Sequence, residues 1–143
     1  MKRNTETLMA IRELTKYYSR IAKQIGDQFG LNPMETNIIS FLENNPGLDT
    51  ASDIIELRGF SKAAVSEGID ALAQKGMLVR NEDEADKRLV HLQLTAASRP
   101  VGKALRDSRR RFSDRCFAGF SEAERRQYLE LTDRILDNLL ERA

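Results

Sequence analysis

Ser61-Lys62-Ala63-Ala64-Val65-Ser66 opens a stretch that runs to Gly76 and continues as Met77-Leu78-Val79-Arg80. It then turns through Asp83-Glu84-Ala85-Asp86-Lys87-Arg88 and returns as Leu89-Val90-His91-Leu92-Gln93-Leu94. The first part reads as a helix that Ser61 caps, with Val65, Ile69 and Leu72 turned inward and Gly76 as a left-handed stop. The two later runs read as strands. Val90, Leu92 and Leu94 alternate with His91 and Gln93, which predicts one buried face and one wet face carrying His91. A helix passing straight into a hairpin with a cationic tip suits a DNA duplex. The helix fits the major groove, and the hairpin reaches the neighbouring backbone or minor groove.

Upstream, Leu8, Ile11, Leu14, Tyr18, Ile21, Ile25 and Phe29 recur at steps of three and four, which predicts one long helix with a continuous apolar stripe, closed by Gly30. Asn32-Pro33-Met34-Glu35 carries a cap, a first-turn proline and a capping-box carboxylate. The helix it opens bears Ile38, Ile39, Phe41 and Leu42 and breaks at Asn45-Pro46-Gly47. Gly47-Leu48-Asp49 reads as a short edge strand, and Thr50 or Asp49 caps a small helix that bears Ile54, Ile55 and Leu57 on its apolar side and that Gly59 ends. Beyond Thr95 a fifth helix runs to about Phe117, with Pro100 near its start. Ser121-Glu122-Ala123-Glu124 is a capping box for a last helix, whose apolar side is Tyr128, Leu131, Ile135, Leu136, Leu139 and Leu140.

With 143 residues and no repeat or long linker, one domain is the expectation. No apolar run approaches the roughly 20 residues of a membrane helix, and Met1-Lys2-Arg3-Asn4-Thr5-Glu6 lacks the apolar core of a secretion signal, so a cytoplasmic protein is expected. Cys116, the single cysteine, allows no intrachain disulfide. The net charge of +1 is unevenly spread: residues 58–111 hold 12 Lys/Arg against 7 Asp/Glu, or +5, while the flanking stretches are each at −2. That excess is expected where a polyanion contact would need it, a solvated basic face being the bland alternative.

Taken together, these pieces resemble the multiple-antibiotic-resistance-regulator (MarR) family of winged helix-turn-helix transcription factors over nearly the whole chain. Leu78 and Arg80, Asp86-Lys87-Arg88 and Leu92-Gln93-Leu94-Thr95 look like the family's wing. Ser61 to Ser66, with Leu72, Lys75 and Gly76, looks like its recognition helix. Two departures stand out. Ser98 occupies a position where the family often has glycine, and Glu67, Gly68 and Asp70 make the recognition helix less basic than usual. The resemblance implies a mainly α fold with a small β-wing (α+β). It would be a single domain over 1–143, with a DNA-binding lobe at about 33–97 and dimerisation helices at about 5–29 and 98–142. It also implies a homodimer built from both chain ends. The two terminal apolar stripes call for the same cover independently, unless they cover only each other.

The candidate DNA-binding residues are Ser61, Lys62, Ala63, Ala64 and Ser66 on helix 61–75, and Asp86, Lys87 and Arg88 on wing 83–88. Hydroxyls and an ammonium on early helical turns reach phosphates and base edges, and small alanines allow close approach. Asp86, two residues before Arg88, can orient a guanidinium toward a narrow minor groove. The bland alternatives are a capped surface helix and a solvated ion pair. Arg58 and Arg80 are weaker candidates, and the run Arg106, Arg109, Arg110, Arg111 reads as a solvated face or as partners for the other subunit's acids. The family also implies an effector crevice, for which Tyr17, Tyr18, Arg20 and Met34 are the candidates, against a plain reading as core. Cys116 reads as a packing or incidental residue.

No metal site of typical ligands assembles from one histidine and one cysteine, no cofactor motif occurs, and no catalytic constellation nominates an enzyme. The function expected is that of a sequence-specific double-stranded DNA-binding transcriptional regulator, a homodimeric repressor on a pseudo-palindromic operator, released by a small-molecule effector. The alternative is a helical dimerisation or adaptor protein with a degenerate winged helix.

Overall fold

The computed structural model describes residues 2–141. Six α-helices and one antiparallel hairpin follow in the order α1 (Arg3–Phe29), α2 (Pro33–Asn44), α3 (Ala51–Arg58), α4 (Lys62–Gln74), β1 (Leu78–Glu82), β2 (Val90–Leu94), α5 (Arg99–Cys116) and α6 (Glu122–Leu139). The mainly helical fold with a two-stranded wing is the one the patterning predicts. The chain divides into two compact units, one through Ser108 and one from Arg109.

In the first unit, local chemistry sets where α2, α3 and α4 begin. Asn32 and Glu35 bond each other's backbone amides ahead of α2, with Pro33 at the first helical position. Thr50 and Asp53 do the same for α3, and Ser61 Oγ accepts from Ala64 N at 3.1 Å to start α4. Each such cap satisfies amides that the first turn leaves without a partner, at a value of about 0.5–2 kcal/mol. Pro100 sits in the first turn of α5, where its missing N–H costs nothing, behind a 3₁₀ turn at Ala96–Ser98.

The inward faces of these elements share one core: Ile25 and Leu31 from the end of α1, Ile38, Ile39 and Phe41 from α2, Ile54, then Val65, Ile69 and Leu72 from α4. Leu78, Leu92, Val101 and Leu105 bring in the hairpin and α5. The inward residues expected of α4 are thus all buried. Gly68 lets α4 come close to α2, because a Cβ there would lie 2.6 Å from Ile38 Cδ1 and 3.0 Å from Met34 Cγ. Its presence in mid-helix is a packing requirement rather than a weakness of the helix.

Two expectations need correcting. Gly47-Leu48-Asp49 forms no strand; its backbone meets the hairpin in one bond, from Leu92 N to Asp49 O at 2.7 Å. Leu57, expected to share the apolar side of α3, is exposed.

In the second unit, Phe117 meets Phe120 and Tyr128 edge to face, with centroids at 5.4 and 5.2 Å, and Arg125 lies over the Phe117 ring at 5.0 Å. Ser121 and Glu124 form the expected capping box. No described residue of α6 is buried, and Leu139 is 75% exposed. In α1, Leu8 and Ile11 are similarly open, so the stripe predicted there is buried only toward its C-terminal end. The expected end of the last helix at Arg142 lies outside the described residues. Among those described, no helix is long and apolar enough to cross a membrane.

Candidate nucleic-acid interface

Anchoring decides which face α4 can offer. With Val65, Gly68, Ile69 and Leu72 buried, the 3.6-residue period turns Ala63, Ser66, Glu67 and Asp70 outward, with Lys62 at the margin and Ser61 as the cap. Ser61, Lys62, Ala63 and Ser66 are exposed, and Ala64 is half-buried. The far end of α4 is pinned. Lys75 Nζ donates to Glu35 Oε2 at 2.6 Å and to Gly30 O at 3.0 Å, and Glu35 is itself buried. A paired ammonium at a buried carboxylate fixes orientation, since removing one partner strands the other. Lys75 therefore holds the helix in place. Gly76 then takes φ +71°, the left-handed stop expected of it, and β1 begins two residues later.

The wing pairs Leu78 with Leu94, Arg80 with Leu92 and Glu82 with Val90. Leu78 and Leu92 reach the core, which fixes the register, because a one-residue slip would expose both. At the tip, Asp83 Oδ2 accepts from Ala85 N at 3.0 Å and Asp86 N at 2.9 Å, an Asx-type turn. Asp86 Oδ1 in turn accepts from Arg88 N at 3.0 Å and from Arg88 Nε at 3.3 Å. The Arg88 side chain is nonetheless 93% exposed, so its guanidinium is aimed but not consumed. The structure thus supplies the Asp86–Arg88 geometry expected from their spacing. Lys87 is exposed beside it, and among the described residues neither Lys87 nor Lys62 has an ion-pair partner.

Other charges are committed elsewhere. Arg80 pairs with Asp70, so the acidic residue that departs from the family's pattern on α4 is answered by a strand cation. Arg58 lies over the Phe60 ring at 4.9 Å. Arg106 leaves the basic run on α5 to bond Glu43 Oε1 at 2.6 Å. The charge count also resolves more finely. Residues 58–95 hold 6 Lys/Arg against 6 Asp/Glu, and residues 96–111 hold 6 against 1, so the +5 belongs to α5. The helix and wing are neutral in sum, and what they offer a polyanion is the placement of individual cations.

His91 lies on the face that the hairpin's alternation gives it, with exposed Gln93, but it is half-buried there by partners that alternation does not reveal: Nδ1 lies 2.7 Å from Asp49 Oδ1 and Nε2 lies 2.8 Å from Asp83 Oδ1. Hydrogen bonds to Asp49 and Asp83 hold its pKa above the usual imidazole value, while the bond to His91 leads the causes that hold Asp83 below the usual carboxylate range. Asp83 and Asp49 were not among the expected site residues. Alternation along a strand places a side chain on a face, but it says nothing of a partner 42 residues away. Cys116 is exposed, which removes the packing reading.

The four effector candidates fall in different settings. Met34 packs against the core beneath α4. Tyr17 and Tyr18 meet edge to face with centroids 6.3 Å apart, Tyr17 half-buried and Tyr18 exposed, and Arg20 is exposed on the same helix.

A family model described as MarR family matches residues 29–89, from the end of α1 to the foot of β2. The chain is 35% identical over 54 residues to the transcriptional regulator AdcR of Streptococcus pneumoniae serotype 2 (strain D39 / NCTC 7466), a match that spans 38% of this chain and 37% of that relative. Its fold is similar to a MarR-family transcriptional regulator from Silicibacter pomeroyi, with a TM-score of 0.76 at 23% identity over 90% of this chain and 86% of the other. It is also similar to MepR of S. aureus solved as a DNA complex, with a TM-score of 0.71 at 19% identity over 91% and 94%. The MarR family model thus matches the helix-turn-helix and the outgoing strand and tip of the wing, and the fold is similar to that of these solved regulators along about nine-tenths of the chain.

Proposed function

We propose that the chain is a sequence-specific double-stranded DNA-binding transcriptional regulator. In this reading α4 enters the major groove with Ser61, Lys62, Ala63, Ala64 and Ser66, and the wing lays Lys87 and Arg88, braced by Asp86, on the minor groove or backbone. The observation that carries it is the pairing of an anchored helix, whose outward early turns are small, polar or cationic, with an almost fully exposed arginine held by its neighbour's carboxylate. Support also comes from MepR, whose similar fold was solved as a DNA complex.

The finer reading is a cytoplasmic homodimer that represses from a pseudo-palindromic operator. Exposed leucines along α6 and the outer half of α1 support the dimer, since patches of this kind on soluble proteins are covered by a partner. A small-molecule effector that releases the DNA completes it, with the edge-to-face tyrosines, Arg20 and Met34 as its expected contacts.

The test is selection from a randomised duplex pool, followed by a salt series on the winner. The reading expects a selected sequence that outcompetes random duplex, with log affinity falling linearly in log salt. Equal affinity for all duplexes, or none, would favour an adaptor with a degenerate winged helix.

A further inference from the structure

His91, the only histidine of the chain, lies near the middle of β2 opposite Asn81. Both of its ring nitrogens face carboxylate oxygens, Asp49 Oδ1 at 2.7 Å and Asp83 Oδ1 at 2.8 Å. An ionised carboxylate only accepts, and a neutral imidazole has one N–H, so both bonds exist together only for the imidazolium. The two acids come from different places. Asp49 belongs to the segment that caps α3, which also receives the Leu92 amide, and Asp83 begins the wing tip. The other Asp83 oxygen holds Ala85 N and Asp86 N, and Asp86 holds Arg88. A continuous series of bonds therefore runs from the body of the winged-helix unit to the exposed guanidinium.

We propose that His91 is a positioning residue for the wing: as an imidazolium bridging Asp49 and Asp83 it sets the tip turn and the aim of Arg88, so the wing's grip on DNA weakens as pH rises. This rests on the reading of the chain as a duplex-binding protein. The charges that act on His91 are those of Asp49 and Asp83, and its cross-strand neighbour Asn81 is neutral. Because both bonds raise the His91 pKa, the clamp is whole below the ordinary imidazole value of about 6.5 and is lost as pH climbs through the raised value. Asp83, held low, loses its charge only in acid far below that window.

The experiment uses the full chain, with NMR of the single imidazole ring and the wing amides, and anisotropy binding to the pool-selected duplex from pH 6 to 9 at fixed salt. Wild type should bind about three- to tenfold more weakly at the alkaline end, the loss of one charge-assisted bond at a half-exposed site. The Ala85, Asp86 and Arg88 amides should titrate with the ring. Asp49→Asn, which keeps an acceptor oxygen and the fold, should move that midpoint down. Arg88→Ala should bind more weakly and with no pH dependence, because the clamp acts through Arg88. Wing amides that stay fixed while the ring titrates overturn the inference, and so does a pH profile that survives in Arg88→Ala. A wild type that takes up no duplex at any pH refutes the duplex reading instead, and the amide titration still judges the clamp.

Discussion

Replacing Asp70 with alanine should make this protein bind DNA more tightly at low salt while leaving its fold nearly untouched. Asp70 stands on the outward face of α4 and pairs with Arg80 of β1, with side chains 68% and 43% exposed respectively. At that exposure the pair is worth roughly 0.2–1 kcal/mol to stability, since water and ions screen it. The substitution removes a negative charge from the face proposed to meet phosphates and frees a guanidinium beside it. One added cation–phosphate contact steepens the slope of log affinity against log salt by about 0.9. Over a fourfold rise, from about 50 to 200 mM salt, that slope costs a further factor of roughly 3.5, so the variant's advantage shrinks by this amount across the series. Equilibrium anisotropy on one duplex at four or five salt concentrations measures it, with urea unfolding as the control. A slope equal to or shallower than that of wild type would refute the reasoning. Weaker binding at low salt would show instead that the Asp70 carboxylate itself contacts a base edge.

Arg88→Ala should weaken binding to many sequences alike and flatten the salt slope by about 0.9, and Asp86→Ala should copy it in milder form, both read from the same salt series. Changing Lys62 or Ser66 should alter which duplexes are preferred, with about 1–3 kcal/mol at stake per lost base contact, as a repeat of the pool selection would reveal. Leu72→Ala, at a fully buried site behind α4, should cost about 2–5 kcal/mol in urea unfolding. Charged residues at Leu136 and Leu139 should lower the mass seen by light scattering from that of a dimer to 16.3 kDa.

Much of the fold was legible because its signals are local. Asn32 with Glu35, Ser61, and Ser121 with Glu124 mark helix starts within four residues, and Gly76 marks a stop because glycine takes the left-handed conformation without strain. Val65, Ile69 and Leu72 announced their burial through a period that any core-facing helix shares. The Asp86–Arg88 pairing was legible for the same reason, being two residues apart in a tight turn. What stayed hidden was every contact whose partner lies far along the chain. Lys75 looked like part of a recognition helix, yet it reaches Glu35, 40 residues earlier, and Arg106 looked like a solvated charge, yet it reaches Glu43. His91 illustrates the limit best, because alternation gave its face but not the two acids that bracket its ring, one of them 42 residues away. A count of charges was only as fine as its window: the +5 read over residues 58–111, in and just after the helix and hairpin, resides on α5.

A footprint of the wild-type protein on the selected duplex tests the central claim most directly. If α4 of each protomer enters a major groove, protection should appear in two patches about one helical turn, roughly 10 bp, apart and related by a dyad, with flanking minor-groove protection that disappears in Arg88→Ala. Protection without a dyad, or none at protein concentrations that saturate binding, would contradict it.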